Sequence, residues 1–148
     1  VHQRFLKITD RKKDIFKTSA GKYIAPQPLQ THFTKSSFIQ RCLIIGFQRP
    51  YVTALIVPNF EILKAWCTQE HIHWTAPQFM VYNIKVRARL QLEVDSLNEE
   101  LPNIERIKNF VLCHQDWTVE SGELTATLKP IRLRIMDHYK AEIEKMYP

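Results

Sequence analysis

Five aliphatic residues, Val86, Leu90, Val94, Leu97 and Leu101, recur at spacings of 4, 4, 3 and 4. They form one stripe on a 3.6-residue period, and a stripe of that length must be covered by other apolar surface. Asn83 can cap the helix and Pro102 can stop it. The cover has to come from shorter elements. Ile15–Thr18 and Tyr23–Ala25 flank Ser19-Ala20-Gly21-Lys22, a hairpin in which Gly21 is free to take positive φ. Cys42–Phe47 and Tyr51–Val57 flank Gln48-Arg49-Pro50, a second hairpin, and Phe5–Thr9 and Asn109–His114 read as further strands. Leu29 and Phe33 mark a short helix after Pro26 and Pro28, and Asn59 can cap one that turns Phe60, Leu63 and Trp66/Cys67 inward. After the turn Ser121-Gly122-Glu123, the segment Leu124–Lys129 reads as extended. Pro130 suits the first position of a last helix with Ile131, Ile135, Tyr139 and Ile143 inward. Hairpins mixed with helices, without regular β-α-β alternation, predict an α+β fold: a small mixed sheet and hairpins packed with several helices, one domain over residues 1–148.

Only three glycines occur, Gly21, Gly46 and Gly122, so neither G-x-x-x-x-G-K-[ST] nor G-x-G-x-x-G can be written. Nucleotide-cradling loops of those types are excluded. Cys42, Cys67 and Cys113 are widely spaced with no C-x-x-C, which fits reduced thiols in a cytoplasmic setting better than a disulfide scaffold or a zinc site. No apolar run reaches the roughly 18 residues of a membrane span. The chain enters strand-like sequence at Phe5 almost at once, as a piece of something longer would.

Charge is unevenly placed. Residues 1–50 carry ten Lys/Arg against Asp10 and Asp14, residues 51–128 carry six against ten acids, and the last twenty carry five against three. An anionic ligand would be met where the two basic ends converge. Three spots stand out: Asp10-Arg11-Lys12-Lys13-Asp14, Lys17 with the Gly21 loop, and Glu123–Lys129. Each has an ordinary reading as a solvated turn, a surface hairpin or a surface charge. Each also has a functional one. A polar segment can serve as a pivot, a glycine allows close backbone approach, and a lysine at a loop end offers three donors to phosphate and carboxylate oxygens together. His71-Ile72-His73 could set two imidazoles on one strand face, yet no third ligand is near. Neither Cys nor Ser shows a local His partner pattern, so a covalent nucleophile is unsupported.

Taken in order, the strings Phe5-Leu6-Lys7-Ile8-Thr9-Asp10-Arg11-Lys12-Lys13-Asp14-Ile15-Phe16-Lys17-Thr18, Gly21-Lys22-Tyr23-Ile24-Ala25-Pro26 and Gly122-Glu123-Leu124-Thr125-Ala126-Thr127-Leu128-Lys129 resemble the C-terminal domain of the AMP-forming acyl-CoA synthetases. Among these adenylate-forming ligases the resemblance is nearest to the long-chain fatty acid–CoA ligases, and it spans essentially the whole chain. It implies the mobile lid of a two-step enzyme, inactive alone, whose large N-terminal catalytic domain would hold ATP, Mg2+ and the acyl tunnel. The family's chemistry assigns Lys129 as the catalytic lysine of adenylate formation, Arg11 as a ribose contact and Lys13 as the hinge. Lys17 and Gly21 would face the thioester step with CoA. The implied substrates are fatty acid, ATP and CoA. No nucleic acid is implied, and membrane association of the parent is left open. Three departures stand out: Ala126 replaces a usual Pro, Gln30 replaces a frequent acidic residue, and Pro130 directly follows Lys129. Two alternatives remain: the lid of another acid–CoA or adenylating ligase, and a free-standing module whose basic end binds nucleic acid or anionic lipid.

Overall fold

The computed structural model describes residues 15–148. The strand expected at Phe5–Thr9 and the segment Asp10–Asp14, with Arg11 and Lys13, lie outside the described residues. In chain order the elements are β1 (Phe16–Lys17), β2 (Tyr23–Ile24), α1 (Pro26–Phe33), β3 (Ile39–Ile45), β4 (Val52–Pro58), α2 (Phe60–Gln69), α3 (Pro77–Met80), α4 (Ile84–Asn98), a 3-10 turn (Asn103–Glu105), β5 (Ile107–Leu112), α5 (Arg132–His138) and α6 (Lys140–Lys145).

β4 is the central strand, and every one of its residues is buried. Its sequence, Val-Thr-Ala-Leu-Ile-Val-Pro, is continuous rather than alternating because both faces of the sheet are covered. Val52, Ala54 and Ile56 point into one core with Leu29 and Phe33 of α1, Leu63 and Cys67 of α2, and Val86, Leu90 and Val94 of α4. Leu55 and Val57 point the other way, against Trp117, Leu124, Ile135 and Ile143.

The strand order is β3-β4-β5, with β3–β4 antiparallel and β4–β5 parallel, so the expected mixed sheet is present. β4, the helices α2 to α4 and β5 make one β-α-β crossover, which a reading of local pattern did not anticipate. The hairpin strands sit close to their expected places, although β3 begins at Ile39 rather than Cys42.

Both predicted asparagine caps form. Asn59 accepts from Ile62 N at 3.2 Å, and Asn83 accepts from Lys85 N and Val86 N. α4 ends at Asn98, short of Pro102, because the Asn98 side chain leaves the helix to accept from Ile107 N and donate to Ile107 O, both at 2.9 Å. Those two bonds fix where β5 begins.

The C-terminal third departs most. Leu124–Lys129 is a tight turn, not an extended strand, and Pro130 pairs with Leu124 in an isolated bridge instead of opening a helix. α5 starts at Arg132 and breaks at Tyr139 (φ −112, ψ 22) before α6. A stripe spaced strictly by four drifts about 40° per step on a straight helix. The break returns Ile143 to the cluster that also holds Ile135. His71-Ile72-His73 lies in irregular backbone rather than a strand, with His71 at φ 58.

Candidate functional site around Lys129 and the Gly21 hairpin

Lys129 closes a turn that is bonded entirely to itself. Thr125 N donates to Lys129 O at 2.8 Å, Leu128 N to Thr125 O at 2.8 Å, and Lys129 N to the Thr125 Oγ1 at 3.1 Å. The Thr125 and Thr127 hydroxyls meet at 3.1 Å. Leu128 takes φ 65, a left-handed position that costs a branched side chain roughly 1–2 kcal/mol. The whole run from Thr125 to Pro130 is exposed, and among the described residues no ion pair or side-chain hydrogen bond engages the Lys129 ammonium.

The base of this turn is anchored on both sides. Leu124 is buried in the second core. Glu123, only 6% exposed, accepts from the Ser121 hydroxyl at 2.7 Å and lies 2.9 Å from His138 Nδ1 of α5. Its carbonyl accepts from Ile131 N at 2.8 Å, so the strands entering and leaving the turn are joined. Gly122 takes φ +80, and a Cβ there would lie 3.2 Å from the Arg134 guanidinium.

The Gly21 hairpin is the second basic spot. Thr18 N donates to Lys22 O at 2.9 Å, and Gly21 N to Thr18 O at 3.0 Å, with Gly21 at φ +81 as expected of a glycine in this turn. Lys17 holds its ammonium 5.6 Å from the centre of the Tyr23 ring. The hairpin docks on the β3–β4 turn, where Ser19 N donates to Arg49 O and Gln48 N donates to Lys17 O. Gly46 permits that docking, since a Cβ there would sit 2.8 Å from Phe16 Cε1.

Arg132 links the two spots, and sequence reading gave it no role. Its guanidinium donates to Ile44 O on β3 and to Gln30 Oε1 on α1, and it stands 5.9 Å from the centre of the Phe16 ring in β1. Gln30 Oε1 also accepts from Ile44 N at 3.1 Å. The glutamine at this unusual position is therefore a double acceptor between helix, strand and arginine. The signal was present as an arginine three residues after Lys129. Lys129 itself does not touch Lys17 or Gly21. A groove of about 670 Å³ lies between Ile15, Pro26 and His32, and Lys129 does not line it.

Residues 13–148 match the AMP-binding enzyme C-terminal domain profile. The chain is 34% identical over 96% of its length to a protein of Arabidopsis thaliana named long chain acyl-CoA synthetase 7, peroxisomal, covering 21% of that protein. It is 33% identical, again over 96% of its length, to long-chain-fatty-acid–CoA ligase 1 of Schizosaccharomyces pombe, covering 22% of it. The chain thus spans about a fifth of the length of the curated relatives it matches. The fold superposes with a TM-score of 0.74 on the adenylation domain of a Mycobacterium chelonae carboxylate reductase, at 24% identity over 93% of this chain and 20% of that one. The corresponding domain from Segniliparus rugosus, solved with AMP and a co-purified carboxylic acid, gives the same score at 22% identity over 93% of this chain and 20% of that one.

Proposed function

Because the chain belongs to the AMP-binding enzyme C-terminal domain family, we propose that it is the lid of a long-chain fatty acid–CoA ligase. In such an enzyme the fatty-acid carboxylate attacks the α-phosphate of ATP with loss of pyrophosphate, and the CoA thiol then attacks the acyl carbonyl with loss of AMP. The observation that carries the reading is the presentation of Lys129: an exposed, unengaged ammonium on a turn whose backbone is bonded to itself and whose base is pinned by Glu123.

In the first step two anions, a carboxylate and the α-phosphate, must approach one another. A cation placed between their oxygens relieves the repulsion and the charge that develops in the transition state, and loss of one such preorganised contact typically costs about 10²–10³ in rate. Lys129 has the three donors this needs, and a turn that is already ordered does not have to reorganise to deliver them. ATP with its Mg2+ would be held by an N-terminal domain, and the lid contributes the lysine.

The second step needs a different surface. Lys17 and the open backbone at Gly21 would line the approach of CoA after the lid turns. The exposure of Lys17 and of residues 19–23 supports a second surface used after the first. Arg11 as ribose contact and Lys13 as hinge rest on the sequence resemblance.

The test is made in the full-length enzyme. Lys129→Ala is expected to abolish acyl-adenylate formation while sparing thioester formation from acyl-adenylate supplied ready-made. An equal loss in both half-reactions would refute the division of labour.

A further inference from the structure

The end of the molecule remote from the lysine turn carries a patch that the lid reading does not use. Phe79, Tyr82 and Ile84 are 65%, 76% and 85% exposed, while their neighbours Met80, Val81 and Val86 are buried. The alternation is built in. Tyr82 N donates to Phe79 O at 3.1 Å, and that turn sends both rings outward while Met80 and Val81 enter the core. From Ile84 the exposed apolar surface continues along α4 through Ala88 to Leu92, one helical row apart. Large aromatic and aliphatic side chains grouped at a tip in this way mark an interaction surface.

The charges around the tip select its partner. Between Glu70 and Glu93 there is no acidic residue, whereas Lys85, Arg87 and Arg89 fall within that interval, with His71 and His73 at its start. Arg89 is neutralised by Glu93 at 2.9 Å. Lys85 and Arg87 have no carboxylate partner among the described residues, and Arg87 lies 5.8 Å from the centre of the Phe110 ring. The groove lined by Lys85, Ala88, Arg89 and Leu92 also holds Glu70, just past the end of α2. Phenyl, phenol and sec-butyl groups framed by cations match a bilayer surface, in which aromatic rings settle at headgroup depth and cations meet lipid phosphates.

The location argues against coverage by a catalytic domain engaging Lys129 and Gly21. The C-terminal end of α4 is tied through Asn98 to Ile107, which pairs with Val52 at the start of β4, just after the turn that holds the hairpin. Ile84 begins that 15-residue helix, so it lies about 21 Å along the axis from the hairpin end. Lys129 lies beyond β3, where Arg132 reaches Ile44, while Arg87 reaches Phe110 on β5, the opposite edge of the sheet.

We infer that the Phe79–Tyr82–Ile84 tip, with Lys85 and Arg87, docks on an anionic lipid bilayer. The inference does not depend on the ligase reading. It is tested by co-sedimentation of the 148-residue chain with phosphatidylcholine vesicles, with and without phosphatidylserine. Binding is expected only with phosphatidylserine, weakening as salt is raised. Lys85→Glu/Arg87→Glu should lower the partition coefficient more than tenfold, and Phe79→Ser/Tyr82→Ser/Ile84→Ser should do the same at unchanged far-UV circular dichroism. The full-length parent should bind as the chain does. Absence of binding, equal binding to neutral vesicles, or retention by both variants (which would assign it to the basic N-terminal third) overturns the proposal. So does a parent that does not bind, because another domain would then cover the tip. A wild-type dimer in sedimentation velocity that the triple variant abolishes would assign the patch to a second copy and likewise overturn it.

Discussion

The carboxylate of Glu123 lies 2.9 Å from the imidazole Nδ1 of His138, joining the segment that enters the lysine turn to the helix that follows it. Glu123 is buried and His138 is two-fifths exposed. Glu123→Ala strips the Ser121 hydroxyl and the imidazole of one acceptor and leaves a small cavity. A loss of about 1–3 kcal/mol in urea unfolding is expected. His138→Ala should cost less, because the remaining carboxylate can be reached by water. Equal costs would contradict this asymmetry.

The lysine turn carries two features that a substitution can separate. Ala126 occupies the second position of the turn Thr125–Leu128, where Pro is favoured because its φ is already set. Ala126→Pro should stabilise by about 0.4–1 kcal/mol, read as a rise in melting temperature. Leu128→Gly removes the left-handed strain at φ 65. It also frees the unfolded chain, so a net change of less than about 1 kcal/mol is expected. In the full-length ligase proposed above, Leu128→Gly should slow adenylation while the melting temperature stays close to that of wild type.

Gly46 is a packing requirement rather than a turn requirement. Its absent side chain makes room for Phe16, whose Cε1 would stand 2.8 Å from a new Cβ. Gly46→Ala should destabilise by about 1–3 kcal/mol and loosen the Gly21 hairpin, seen as faster amide exchange at Thr18 and Gly21. Unchanged exchange at those amides would mean that Phe16 moves freely.

All three cysteines are buried, and burial pushes their thiols up: Cys113 to about 12, with Cys42 and Cys67 raised in the same direction. The thiolate is the reactive species. Native chain at pH 8 should therefore react with a disulfide reagent only as fast as it unfolds, and all three thiols should react at once in denaturant. A fast native phase would contradict the burial.

One pH effect has a definite sign. The Arg49 guanidinium, hydrogen-bonded to Glu144, holds that carboxyl below its ordinary value. The folded state then binds the proton less readily than the unfolded one. The stabilisation is complete above the unfolded carboxyl range and fades as pH falls through the lower folded value. The pair is exposed, so the effect is small and weakened by salt. Wild type and Arg49→Leu should differ in melting temperature near neutrality by an amount that shrinks toward pH 3. A gap that widened on acidification would reverse the sign.

The parts of the fold written in local chemistry were legible. Asn59 and Asn83 announce their helices by side-chain capping, and Val86, Leu90 and Val94 face the core as their spacing requires. The partnership of β4 with β5 was not legible. Their parallel register joins Val52 to Ile107 across the whole crossover, and nothing in either strand encodes that meeting. The break at Tyr139 has no Gly or Pro to mark it. It follows from packing, with Ile135 and Ile143 in one cluster and the partly buried Tyr139 packed against it. At the site, Gly21 was readable from its turn. The tie of Arg132 to Ile44 and Gln30 became visible only when three elements met.

The closed ring of bonds from Thr125 to Lys129 has a kinetic consequence. A flexible arm would have to be frozen afresh at every turnover, and that entropy would be subtracted from whatever the charge contributes. Here the freezing happens once, when the polypeptide folds. In the lid proposed above, each cycle would then have only the orientation of one solid piece and the stem of Lys129 left to search.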